Sequence, residues 1–136
     1  MKRLALIALL TLFGAVSARA QVSAVPATQV SIPIAISTIT TTQLIAPPAQ
    51  ALQSILVTSF DVVAAGTGNI QFIAGTGATC GTGTINVTGN YVLTAQTRIG
   101  KGDGAGAVWV LPQGFGLCAV TSAAVGMAGG LSYAIY

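Results

Sequence analysis

Histidine and glutamate are absent from this sequence, and aspartate occurs only at positions 61 and 103. General acid–base chemistry draws mainly on His, Glu, Asp and Lys with tuned pKa values, so these absences exclude most enzyme classes at once. A Ser-His-Asp triad cannot be built without histidine. Zinc lacks histidine and sufficient cysteine, and calcium lacks carboxylates, so no metal or other cofactor is expected. Asp61 and Asp103 remain as a formal carboxylate pair. One falls in a strand pattern and the other in a Gly-rich stretch, with no motif around either, so their simpler reading is solubility and turn formation. The stretch Gly100-Lys101-Gly102-Asp103-Gly104-Ala105-Gly106 superficially resembles a phosphate cradle. It fails that test because Gly102, not Ser or Thr, follows Lys101, and no helical pattern comes after it; a flexible hairpin loop is expected instead.

The net charge of +3 is misleading. Lys2 and Arg3 precede an apolar run, Leu4 to Val16, that ends at a small-x-small site, Ala18-Arg19-Ala20. This is the pattern of a secretory signal peptide over residues 1–20. The run is shorter than the roughly 20 residues needed to span a bilayer, and no later segment reads as a membrane span. Cleavage before Gln21 would leave Arg98, Lys101, Asp61 and Asp103 as the only charged side chains, with a net charge of zero. Nucleic-acid binding through a basic surface is therefore not expected. Globular domains usually carry about 25% charged residues, so a surface with four is unusual.

Threonine, glycine and the β-branched aliphatics fill the place of the missing charge, which is the vocabulary of strands and tight turns. Cys80 and Cys118 make an even pair in a chain expected to leave the reducing cytosol, which favours a disulfide; two buried free thiols are the alternative. Asn86-Val87-Thr88 matches the N-glycosylation sequon, which matters only in a eukaryotic secretory pathway.

Alternation places the strands. Val30, Ile32, Ile34 and Ile36 alternate with Ser31, Pro33, Ala35 and Ser37, and Pro33 assigns that strand to a sheet edge. Gln43 to Ala46 is a short strand, stopped by Pro47-Pro48. Ser54 to Ala64 carries apolar residues at both parities, Leu56, Phe60 and Val62 at one and Ile55, Val57 and Val63 at the other, as a central strand does. A turn at Gly66-Thr67-Gly68-Asn69 predicts that Ile70 to Ala74 pairs back as a hairpin. Further strands are expected at Ile85 to Thr88, Tyr91 to Gln96, Ala107 to Leu111, Gly116 to Thr121 and Val125 to Tyr136. No helical periodicity follows Ala20. The fold class is therefore all-β, an antiparallel β-sandwich of jelly-roll type. Residues 21–50 are read as an extended segment with edge strands and 51–136 as the sandwich core, the two forming one domain.

Gly75-Thr76-Gly77 with Cys80, Gly83-Thr84, Leu93-Thr94-Ala95, Pro112-x-Gly114 leading to Leu117-Cys118, and Gly130-Leu131-Ser132-Tyr133 carry a resemblance. Over about Leu52 to Tyr136 the chain resembles small Gly/Thr-rich β-sandwich proteins found in tailed-phage genomes and in environmental bacteria. The resemblance implies a virion-surface or assembly role and brings no catalytic residues.

The expectation is thus a secreted, periplasmic or extracellular, non-enzymatic subunit that associates with itself or with a protein surface. The alternative is a carbohydrate-binding module, with a glycan as partner and Trp109, Tyr91 and Tyr136 as contact aromatics; the more common place for such rings is the core.

Overall fold

A computed structural model describes residues 28–103 and 106–136. The expected leader, residues 1–20, and the residues that follow it up to 27 lie outside the described residues. Ten strands form, and no helix occurs among the described residues: β1 Val30–Ile36, β2 Thr41–Ile45, β3 Ile55–Ala64, β4 Gly68–Thr76, β5 Thr82–Asn86, β6 Tyr91–Leu93, β7 Arg98–Lys101, β8 Trp109–Val110, β9 Gly116–Thr121 and β10 Met127–Ile135. They build two antiparallel sheets. The first has the order β1-β10-β3-β7, with β8 continuing β7 along the same edge of β3. The second has the order β2-β9-β4-β5, with β6 continuing β5 along the edge of β4. Counting each broken edge once gives four positions per sheet. Apart from β4 to β6 and β7 to β8, which stay within one sheet, consecutive strands alternate between the sheets in the jelly-roll manner, the architecture expected from the strand pattern.

The core lies between the sheets. Ile34 and Ile36 from β1, Leu131 and Met127 from β10, and Ile70 and Phe72 from β4 are buried there with Leu117, Leu93 and Leu111. Burying an aliphatic or aromatic side chain of this size contributes roughly 1.5–3 kcal/mol. Phe72 is fully buried, and its ring meets Phe60 edge-on at 5.2 Å and Trp109 at 5.0 Å; Phe60 and Trp109 stack at 4.6 Å. Phe60 and Trp109 belong to the first sheet and Phe72 to the second, so this trio ties the two layers together.

Four sequence expectations are corrected. Ile70 to Ala74 does not pair back on β3. The two strands lie in different sheets, and residues 65–67 form an arch between them. Facing across the core satisfies the apolar side of both strands, which hairpin pairing within one sheet would not. Secondly, the two parities of β3 do not serve opposite faces. The register with β10 shifts between Ser132 and Tyr133, which pair with Ser59 and Val57 and leave Thr58 as an extra residue. This bulge switches the alternation, so Ile55, Val57, Phe60, Val62 and Ala64 all enter the same core. Thr58 is buried at the bulge, where its hydroxyl donates to the Ser132 carbonyl at 3.2 Å and accepts from the Gln29 side-chain amide. Thirdly, Gly100 and Lys101 are not loop but the end of β7, against Asp61 and Phe60. A side chain at Gly100 would stand 2.9 Å from the Phe60 carbonyl oxygen, so glycine serves close strand approach here. Finally, the strand expected at Ile85 to Thr88 starts earlier, at Thr82, and ends at Asn86.

Pro33 does lie in an edge strand, since β1 pairs with β10 alone. The disulfide between Cys80 and Cys118 forms across a sequence separation of 38. It joins the turn after β4 to the outer face of β9, where both cysteines are buried with Ile73 and Val120 packed beside them. The turn is pinned further by Gln43, whose amide donates to the Gly77 carbonyl at 3.0 Å, and by the Thr84 hydroxyl on the Cys80 carbonyl. Folding back this tightly puts Cys80 at a φ of 53° and its carbonyl oxygen 2.4 Å from where a Gly75 side chain would begin.

Gly75→Ala is therefore expected to destabilise the fold by about 1–3 kcal/mol, the usual cost of overpacking against atoms that cannot move aside. A urea titration measures it. The cost should shrink when Cys80 and Cys118 are both alanine, because the turn is then free to lift; equal costs in the two backgrounds would show that the disulfide does not hold the turn down.

Candidate functional site

Of the four charged side chains of the described residues, Asp61, Arg98 and Lys101 come from sequence positions up to 40 apart, yet they gather on one side of the first sheet. Asp61 faces outward from the middle of the first sheet, and Arg98 reaches it from the neighbouring β7 with an N–O distance of 3.5 Å. Lys101 closes β7, and Asp103 follows it. Asp61, Arg98 and Lys101 line a shallow basin of about 580 Å³ with Ser59, Gly100 and Gly102. Asp61 pairs in register with Gly130 on one side and Gly100 on the other, so neither neighbouring strand supplies a wall. The side chains of Arg98 and Asp61 are 70% and 40% exposed. An ion pair so open to water contributes about 0–1 kcal/mol at most.

The charges of this basin stand open to water. Nucleophilic or general-base chemistry needs a group activated by burial or by a fixed partner, whereas these charges are solvated. Among the described residues no buried side-chain nitrogen or oxygen lacks a hydrogen-bond partner. Thr121, for example, donates to the Thr38 carbonyl at 2.7 Å. No cluster of three or more His, Cys, Asp or Glu that could hold a metal occurs among the described residues, and no helix long and apolar enough to cross a membrane occurs among them.

The aromatic residues singled out in the sequence are not brought to one surface. Trp109 packs against the core with its ring on Phe60 and Phe72. Tyr91 also packs against the core, from β6 of the second sheet, while Tyr136 follows β10 of the first and is 58% exposed. Cys80 and Cys118 serve the fold, closing the small cluster outside the second sheet.

The rest of the described surface mixes small polar residues with exposed apolar ones such as Ile39, Leu52 and Val92. Across the first sheet, Ser31, Ser132 and Ser59 form one row, and Pro33, Gly130, Asp61 and Gly100 the next. Ser31 and Ser132 join their hydroxyls at 2.8 Å. Every residue of β5 is exposed, and none is charged. This concentration of charge on one side, with neutral edges elsewhere, had no signal in the sequence, because Asp61 and Arg98 meet only through the order of the strands.

No protein-family model matches the chain, and no curated protein matches it. Two solved structures are similar in shape. One is from work on Bacillus endospore appendages, described as a novel family of disulfide-linked pili; it aligns with a TM-score of 0.45 and 13% identity, over 79% of this chain and 84% of that one. The other is infectious bursal disease virus, Gx strain, with a TM-score of 0.36 and 14% identity, over 77% of this chain and 32% of that one. Both similarities are weak, and the jelly roll is defined by the strand order itself.

Proposed function

We propose that this protein is a non-enzymatic structural subunit that acts outside the cytoplasm by associating with copies of itself. The observation that carries the reading is that only four charged side chains occur among the described residues, and three of them, Asp61, Arg98 and Lys101, gather in one basin on the β3–β7 side. Elsewhere the described surface offers Thr, Ser, Gly and Ala together with exposed apolar residues such as Ile39, Leu52 and Val92, which can be buried against a second molecule without removing an ion from water. A protein that works alone in solution gains nothing from so neutral a surface, since net charge is what keeps copies apart. Export is the companion proposal. It is supported by the leader pattern at residues 1–20 and by the Cys80–Cys118 disulfide, a bond that persists mainly in oxidising compartments.

Light scattering on the purified protein, expressed with its leader so that any processing occurs naturally, tests the proposal. The weight-average mass should rise with concentration well beyond that of one chain. A single-chain mass at every concentration up to about 1 mM, the range in which even weak contacts are populated, would overturn it.

A further inference from the structure

The two sheets differ at their edges. In the first sheet, β1 carries Pro33, which has no N–H to offer, and the opposite edge is split into β7 and β8 and carries Arg98 and Lys101. Proline, lysine and short broken strands are the devices by which proteins keep sheet edges from pairing with other chains. The second sheet shares the broken edge, in β5 and β6, and has a bulge in the pairing of each end strand, but it lacks the proline and the cations. Its outer strands, β2 (Thr41–Ile45) and β5 (Thr82–Asn86), contain no proline and no charge, and neither pairs with a further strand on its outer side among the described residues.

The backbone of these edges is aimed outward at matched spacing. The Thr121 N–H donates to the Thr40 carbonyl at 3.3 Å, so Thr40 and Thr42 turn their backbone groups toward β9. By alternation Thr41 and Gln43 turn theirs away. On the other side the Val87 N–H donates to the Phe72 carbonyl at 3.0 Å, which turns Val87 and Ile85 toward β4, and Asn86 and Thr84 away. Each edge thus presents one fully outward residue, Thr41 or Asn86, and, next to the bulges in the two pairings, the Gln43 N–H and the Thr84 carbonyl two positions away. With four antiparallel strand positions in the sheet, β5 runs opposite to β2. A translated second copy therefore brings its β2 antiparallel to β5 of the first.

We propose that copies of this chain join head to tail through their second sheets, β2 of one adding to β5 of the next. Thr41 and Gln43 then face Asn86 and Thr84 in a ladder of up to about three hydrogen bonds. The contact is heterologous, so it leaves one free edge at each end of any chain of copies and extends without closing unless the twist completes a ring. This rests on the self-association proposed above and specifies its geometry.

Thr41→Pro and Asn86→Pro test it. Each removes an N–H that points away from its own sheet, so the ladder inside the copy is kept. By light scattering each variant alone should have the mass of one chain at concentrations where the unaltered protein is assembled. An equimolar mixture should give a discrete dimer of twice that mass, because each variant keeps the edge that the other lacks. Retained cooperative unfolding and an intact disulfide verify the fold. Should either proline variant unfold, Thr41→Lys and Asn86→Lys block the same edges by charge and are read in the same way. Ser31→Lys, on an edge of the first sheet, should leave assembly unchanged. Assembly that persists in both blocked variants, a mixture that stays monomeric, or disassembly by Ser31→Lys would overturn the edge pairing while leaving self-association in place. An unaltered protein that is itself monomeric would overturn both.

Discussion

Phe72→Ala is expected to lower the free energy of unfolding by about 3–5 kcal/mol, the range for emptying an aromatic site in a packed core. Phe72 has no exposed surface, and it is the second-sheet member of the ring trio with Phe60 and Trp109. Removing it deletes the contact area and also two favourable ring geometries, each worth about 0.5–1.5 kcal/mol beyond burial. The neighbours cannot collapse into the space without drawing the sheets together, and β3 and β4 are each held by partner strands on both sides. With domains of this size stable by about 5–15 kcal/mol, the variant should lose a large part of its margin. Urea denaturation gives the magnitude, and fluorescence of Trp109, the single tryptophan, should report the loosened ring packing in the native state. A cost below about 1 kcal/mol would show that the interior is not packed as described.

Replacing both cysteines with alanine is expected to cost about 4 kcal/mol, the chain-entropy value for a closed loop of this length. The change is local in the folded state. The bond does not join the two sheets but pins the turn between β4 and β5 onto the outside of the second, so the core should survive while the turn and β5 open. Hydrogen exchange is the discriminating measurement. In the double variant the amides of residues 77–86 should lose protection ahead of those in β3, β9 and β10. Uniform loss throughout would mean that the disulfide supports the whole sandwich. The same opening would remove one of the two edges proposed for assembly, so this variant should also assemble less.

Strands whose alternation is uninterrupted were legible in the sequence. Gly116–Thr121 is found as expected, β1 has its proline at an edge, and β10 keeps large residues facing the core at Met127 and Leu131. What failed was information carried by neighbours. The bulge at Thr58 comes from a register against β10, some 70 residues later, and its sequence reads only as a strand with two apolar sides. Gly100 and Lys101 looked like loop because glycine has low strand propensity. They are strand because Asp61 and Phe60 lie against them. The disulfide was legible from compartment and count, its place outside the second sheet was not. The asymmetry of the edges required the sheet order, since Pro33 and Lys101 guard the same sheet from opposite ends of the domain.

The place of β10 has a consequence for how the fold is acquired. This strand, the last in sequence, lies in the interior of the first sheet between β1 and β3. Until residues 127–135 have been synthesised, β1 has no partner and the sheet has a gap at its middle. Acquisition of structure is thus deferred until translation of the domain is nearly finished, and the distant pairings make it slow, in the millisecond-to-second range common for β-rich topologies.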